Sequence, residues 1–374
     1  MHCGVCLVGT GKSTLVKYLI DDLKINSKDI AYAAYTGKAA LVLQQKGQNA
    51  VTLHKLLYNS FKNKEGVFVH VPKEELDEDY KLIVIDEISM CPKEIWELAL
   101  RHKVHIIALG DPFQLPAIGE DNGVLKNPHV FLDEVMRQAL ESDIIKLSMD
   151  IRAGKPLKPM NGNDVKVICQ DQVVSGMYTW ADQILCGKNA TRRTINNQMR
   201  NLLGYGAEPQ EGDKIICLKN YWDISSEAGD SLVNGMIGTL VNPKLGEDGG
   251  VAGRKMQGSF LPDFADESAP FDSVFRDLDM DYRLMTEGIA THVKDANPPQ
   301  KSKPWQKPMY LKEFDYGYAI TCWKAQGSQF GNVLFFGERL WKMSDIDYLR
   351  YLYTGITRAI HKIVIVLPYS SSSF

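Results

Sequence analysis

The chain has 374 residues, 44% of them hydrophobic and 24% charged, with a formal net charge of −3. That length exceeds what a single core usually spans, so at least two domains are expected. The slight acidic balance excludes a protein that holds nucleic acid by bulk positive charge, and the lack of an apolar run of roughly 18 residues argues against a membrane-spanning helix.

In chain order, the start MHCGVCLVGTGKST runs from an apolar stretch straight into a glycine loop and a helix, so it does not read as a signal peptide. Cys3 and Cys6 form a C-x-x-C pair. No second pair completes a zinc site, so they read as small residues of a strand. The seven cysteines are scattered and odd in number, which suits a reducing cytoplasm. Apolar runs at 30–35 (IAYAAY), 81–87 (KLIVIDE) and 104–111 (VHIIALGD) predict strands, and KSTLVKYLIDDLK and GKAALVLQQKG predict helices between them. Strands alternating with helices imply a parallel sheet covered on both faces. The turn-rich, acidic stretch before residue 81 interrupts the alternation as a small insertion. From Leu132 helical text continues to Lys155, followed by the strand-like ADQILCG. The segment 188–201 carries Lys188, Arg192, Arg193 and Arg200 with no acid, and either a solvated helix or a DNA-backbone contact accounts for it. GDKIICLKN and LVNGMIGTL read as strands with turn glycines, and residues 243–310 are rich in Gly, Pro and Asp. This suits a small barrel with long loops. The α/β pattern returns with YGYAITCWKAQG, NVLFFGE, DYLRYLYTGITRA and HKIVIVLP.

The chemistry concentrates in loops that follow predicted strands. Gly9, Thr10, Gly11, Lys12, Ser13 and Thr14 read as a phosphate-binding loop opening a helix. Backbone N–H groups face the phosphates, lysine adds charge and the serine hydroxyl suits Mg²⁺. The full pattern places a glycine where this chain has Cys6. LIVIDE ends a strand in Asp86 and Glu87, which suit a metal shell and the polarisation of water. GDPFQLPAIG follows the next strand, with Asp111 and Gln114 at the same sheet edge, where open α/β sheets bind ligands.

These segments come in a recognisable order. GTGKST, YTGKAA at 35–40, TLHKLL at 52–57, IDEISM at 85–90, GDPFQLP, MRQ at 136–138, AITCWKAQGSQF at 319–330 and YTGITRA at 353–359 resemble the motifs of superfamily 1 DNA helicases. The likeness is to the 5′-to-3′ branch, RecD-like and phage Dda-like, and it spans nearly the whole chain. It implies an α/β fold of two RecA-like parallel-sheet P-loop domains, with a small SH3-like β-barrel inserted in the second. Domain 1A would cover 1–131, with a small insertion 1B at about 58–80. Domain 2A would cover 132–206 and 311–374, and the inserted barrel 2B would cover 207–310. The implied activity is ATP-dependent translocation on single-stranded DNA and unwinding.

The resemblance also implies roles. Lys12 would bind the β- and γ-phosphates of ATP, and Ser13 with Asp86 would hold Mg²⁺. Glu87 would activate water and Gln114 would sense the γ-phosphate. Arg137 and Arg358 would be arginine fingers. Thr36, His54, Thr321, Trp323 and Lys324 would line the DNA path. Single-stranded and forked duplex DNA are the expected partners, with replication or recombination proteins beside them. A monomer in a bacterial or phage-infected cytoplasm is expected.

The chain departs from the family at Cys6 and at Trp323, which stands where the T-x-H-K pattern has histidine. Trp323 either stacks on a base or fills the histidine's space by packing. An upstream segment with an adenine-recognising glutamine is also expected in the family, whereas here the phosphate loop follows Met1 closely. Weak selectivity among nucleotide bases is the corresponding expectation. Two rival readings, a small-molecule P-loop kinase and a catalytically weak DNA-binding protein, are disfavoured by Glu87, the two arginines and the GDPFQLP loop.

Overall fold

The computed structural model describes residues 2–6, 12–62, 68–117, 119–132, 142–245, 255–264, 270–288 and 311–368. Two compact units divide the chain: 1–191 with 320–374, and 192–319. No described helix is long and apolar enough to cross a membrane.

The first sheet is built from β1 (His2–Cys6), α1 (Lys12–Leu23), β2 (Ile30–Ala34), α2 (Gly37–Gln45), β3 (Ala50–Thr52) and α3 (Leu53–Leu57). There follow β4 (Tyr58–Lys62), β5 (Phe68–Pro72), β6 (Leu82–Asp86), α4 (Lys93–Arg101), β7 (His105–Gly110) and β8 (Val130–Leu132). The strand order is β3-β2-β6-β7-β1-β8, all parallel. Alternate side chains of one strand serve opposite faces. Ile83 and Ile85 of β6 join Ile95, Trp96 and Ala99 of α4 in one core. Leu82 and Val84 join Val16 and Ile20, one turn apart on α1, in another. Both faces of the sheet are therefore covered, and β6 reads as a continuous apolar run because it is buried on both sides. The interrupting segment contains an antiparallel hairpin, β4 with β5, in register from Tyr58↔Pro72 to Lys62↔Phe68.

The second parallel sheet draws on α5 (Asp143–Arg152), β9 (Met160–Asn161), β10 (Val165–Cys169), α6 (Ser175–Trp180) and β11 (Gln183–Cys186). Helix α7 (Asn189–Leu202) then leads into the 192–319 unit. That unit contains β12 (Lys214–Cys217), β13 (Tyr221–Ser225), β14 (Ser231–Leu232), β15 (Ile237–Leu245), β16 (Lys255–Pro262), β17 (Phe275–Asp281), α8 (Tyr282–Glu287) and β18 (Phe314–Tyr316). The chain returns through β19 (Ala319–Thr321), α9 (Cys322–Ala325), β20 (Phe330–Phe336), α10 (Asp345–Ile356) and β21 (Ala359–Leu367). The second sheet has the order β19-β11-β20-β21-β10-β9, with β9 antiparallel at its edge. Tyr351 of α10 is fully buried against it and donates to the carbonyl of Phe336 at 2.6 Å.

In the 192–319 unit five strands form an antiparallel sheet, β17-β16-β15-β12-β18. Phe260 lies 6.1 Å from Phe275 and 5.2 Å from Phe314, ring to ring, at its centre. Arg200 is held by Asp213 at 2.9 Å, and the same carboxylate accepts from Tyr318. Breaking a buried pair of this kind by removing one partner costs about 3–5 kcal/mol.

Candidate functional site

Parallel strands end at one edge, and the registers Val5↔Gly110, Ile85↔Ala108 and Ala34↔Asp86 bring the ends of β1, β7, β6 and β2 together there. Gly9, Thr10, Gly11 and Arg137 lie outside the described residues. Lys12, Ser13 and Thr14 form the first turn of α1, which follows β1. A helix N-terminus at the carboxyl edge of such a sheet is a ready anion site.

Asp86 closes β6, and its Oδ1 accepts the backbone N–H of Glu87 at 2.9 Å. Glu87 has φ 52 and ψ 46, a left-handed conformation for a residue with a side chain. Such a residue costs on the order of 1–3 kcal/mol and persists where the surroundings over-determine it. The constraint here is Ile88, fully buried in the next position. A Cβ on Gly110 would sit 2.7 Å from Ile88 Cγ2, so only glycine lets β7 pass this close.

Asp111 follows β7 and is 1% exposed. Its Oδ1 accepts from Phe113 N at 2.9 Å and its Oδ2 from the Tyr353 hydroxyl at 2.7 Å. The next loop residues continue the connection to the second sheet's helices. Leu115 N donates to Thr354 Oγ1 at 2.9 Å, and Gln326 Nε2 donates to Leu115 O at 2.8 Å. Between these anchored positions, Gln114 is 3% exposed, and its Oε1 meets no hydrogen-bond partner among the described residues. Ser89 Oγ and Ser328 Oγ are in the same state. Orphaned buried polar atoms are rare in folded proteins and ask for a partner. Sequence reasoning misses Tyr353, Thr354 and Gln326 as site residues. They sit inside the helicase-like motifs, but nothing local signals which loop they hold.

Arg358 is 4% exposed. It donates to Thr354 O at 3.0 Å, Ser328 O at 3.2 Å and Thr357 Oγ1 at 3.1 Å. All three acceptors are neutral, and no ion pair reaches its guanidinium among the described residues. Burying a cation without an anion is costly, so the position suits an anionic ligand.

A second group of motif residues gathers where α2 meets the turn after α9. Thr36 caps α2 by accepting from Ala39 N at 3.2 Å. Gly327 has φ +73, and a Cβ there would lie 3.3 Å from Ala39 Cβ and 3.8 Å from Thr36 Oγ1. Lys38 places its ammonium 5.3 Å from the centre of the Phe330 ring. Thr321 is buried at the cap position of α9 without using its side chain for the cap. Lys324 is half-buried on α9. Trp323 is half-buried with its ring 6.0 Å from that of Tyr351 at 31°. His54 sits between Tyr35 at 5.6 Å and Tyr58 at 5.7 Å, and burial, with His70 nearby, lowers its pKa from the ordinary 6.5. Arg192 and Arg193, for which the sequence allows either a solvated helix or a DNA contact, take different places. Arg192 forms a buried ion pair with Asp315 at 2.6 Å, while Arg193 is exposed and donates to Gly288 O at 2.9 Å.

Two parallel sheets, joined by a hydrogen-bonded loop that runs from the carboxyl edge of the first to the amino edge of the second, with acids on one side and a buried arginine on the other, define a two-domain P-loop NTPase architecture. Residues 1–167 match the family model described as an AAA domain, and residues 316–366 match the UvrD-like helicase C-terminal domain. The ATP-dependent RecD2 DNA helicase of Deinococcus radiodurans is 31% identical over 157 residues, 39% of this chain and 21% of that protein. A protein of Acanthamoeba polyphaga mimivirus is 30% identical over 167 residues, 34% of this chain and 33% of its own length. The chain thus spans about a fifth to a third of these curated relatives. Among solved structures, the Pif1 helicase of Candida albicans superposes with a TM-score of 0.53 at 15% identity, covering 99% of this chain and 91% of that one. Bacteroides Pif1 in complex with ADP-AlF3 and single-stranded DNA gives 0.53 at 18% identity, covering 97% and 88%. In sequence the two ends of the chain are thus similar to an AAA domain and to the C-terminal domain of UvrD-like helicases, and its fold is similar to that of the Pif1 structures.

Proposed function

We propose that the chain is an ATP-dependent single-stranded DNA translocase and helicase that moves 5′ to 3′. The observation that carries this reading is the loop Asp111–Leu115. It binds Tyr353 and Thr354 of α10, one turn before the buried Arg358. A ligand contacted by both Gln114 and Arg358 would be felt by both sheets at once. ATP is that ligand in this reading, and the Bacteroides relative with its bound ADP-AlF3 supports it.

In this account Lys12 and the turn 9–14 hold the phosphates, Glu87 takes the proton of the attacking water, and Gln114 donates its amide toward the γ-phosphate. Arg358 and Arg137 stabilise the charge of the transferring phosphoryl group. Ser13 and Asp86 are hard oxygen donors that suit Mg²⁺. When bound, Mg²⁺ neutralises phosphate charge. Loss of the γ-phosphate removes the shared ligand, and the two sheets can then part.

Thr36, His54, Thr321, Trp323 and Lys324 line the DNA path in this reading. The meeting of Thr36 with Gly327 supports one surface shared by both α/β parts. The five-stranded antiparallel sheet supports an SH3-like barrel as the inserted domain 2B. The boundaries proposed for 1A, 2A and 2B are those read from the sequence. Forked DNA is the duplex substrate, as it is for a Pif1 relative of known structure. Replication or recombination proteins are the proposed partners, and a monomer in the cytoplasm is the proposed state.

Direction is tested with duplexes carrying a single 5′ or 3′ tail, in ATP and Mg²⁺. Only the 5′-tailed duplex is expected to unwind. Unwinding confined to the 3′-tailed duplex would overturn the direction and leave the motor assignment standing.

A further inference from the structure

The connection from β20 to α10 presents a tryptophan to solvent. Trp341 is 90% exposed, more than any other large apolar side chain described. Exposing an indole forfeits the burial its large apolar surface would otherwise gain. The loop that does so is tightly built. Met343 N donates to Leu340 O at 3.2 Å, Lys342 is left-handed with φ 62, and Arg339 donates to Met343 O at 3.1 Å and to Asp345. Leu340 lies against Gly187 at the end of β11, where an added Cβ would be 3.2 Å from it. The indole is therefore held out on a fixed frame, flanked by the exposed cations of Arg339 and Lys342.

A chain of rings connects this frame to α9. Trp323 packs on Tyr351 at 6.0 Å, Tyr351 on Tyr348 at 6.4 Å, and the Arg339 guanidinium sits 5.4 Å from the Tyr348 ring centre. Tyr348 also donates to Gly337 O at 2.9 Å, which pins the start of the loop. These packed rings link α9, which carries Lys324 and follows Thr321, to the loop that holds Trp341, and Trp341 has cations on both sides of it in sequence. Aromatic rings interleaved with cations match the backbone and bases of an unpaired strand.

We propose that Trp341 stacks on an unpaired nucleobase and extends the DNA track beyond α9, with Arg339 and Lys342 meeting the adjoining phosphates. The inference rests on the single-strand-binding reading above. Binding of wild type, W341A and W341F to labelled oligo-dT is followed by fluorescence anisotropy, and repeated with an abasic oligomer of equal length. W341A is expected to bind oligo-dT about tenfold more weakly, the effect of one lost stacked base, and W341F to stay within about threefold of wild type. On the abasic oligomer wild type and W341A are expected to converge. Melting temperatures stay equal, because Trp341 makes no core contact. Equal binding of W341A and wild type to oligo-dT overturns the inference, as does an equal loss on the abasic oligomer. A change of oligomeric state in W341A at unchanged DNA affinity also overturns it, in favour of a protein contact. Failure of wild type to bind either oligomer would instead sink the single-strand reading itself.

Discussion

Glu87→Gln is expected to abolish ATP hydrolysis while leaving nucleotide binding intact. The amide keeps the shape of the carboxylate and cannot take a proton from water. Glu87 is suited to that role by position: its left-handed backbone, with φ 52, is fixed by the burial of Ile88 and by the Asp86 carboxylate on its N–H. The side chain is aimed by the fold, and Gln inherits the aim. Lys12→Ala is expected to differ, losing affinity for the nucleotide as well as turnover, because lysine contacts phosphates in the ground state too. Equilibrium binding of a fluorescent ATP analogue beside steady-state turnover separates the two variants. Normal turnover in Glu87→Gln would show that another group activates the water.

Arg358→Ala is expected to lower turnover on the order of 10³-fold, with little change in ATP affinity, since an arginine finger acts mainly on the transition state. The variant also removes the donor to the Ser328 carbonyl and to the Thr357 hydroxyl oxygen, while the Thr354 carbonyl keeps the Thr357 hydroxyl at 3.1 Å. A loss of about 1–3 kcal/mol of stability from such unsatisfied acceptors is therefore expected alongside. The kinetic effect is read on the folded fraction at a temperature well below the transition. If turnover of that fraction were near normal, Arg358 would be a structural residue and the buried cation would have no catalytic part.

Much of this arrangement is legible in the amino-acid sequence. The alternation of IAYAA, LIVID and HIIALG with helical text fixes a parallel sheet, and a parallel sheet fixes that Asp86, Glu87 and Asp111 share an edge. What the sequence hides is long-range. Tyr353 holds Asp111 across 242 residues, and neither local periodicity nor composition encodes that pairing. The basic run at 188–201 reads as a surface because it contains no acid, yet Arg192 finds Asp315, 123 residues on, and is buried with it. Backbone strain is equally silent, since a glutamate after a strand gives no sign of positive φ. The exposure of Trp341 is hidden as well. Its neighbours in sequence do not say whether it is covered, and it is the turn closed by Met343 and Leu340 that leaves it outside.

The central claim is that nucleotide hydrolysis and single-strand binding are coupled through the Asp111–Leu115 loop and its partners Tyr353, Thr354 and Gln326. Steady-state ATP hydrolysis measured with Mg²⁺, with and without saturating oligo-dT, tests it most directly. The account predicts slow hydrolysis alone and stimulation by about tenfold or more, at least ~1.4 kcal/mol off the barrier, when the strand is present. Hydrolysis that runs at the same rate whether or not the strand is there would contradict it.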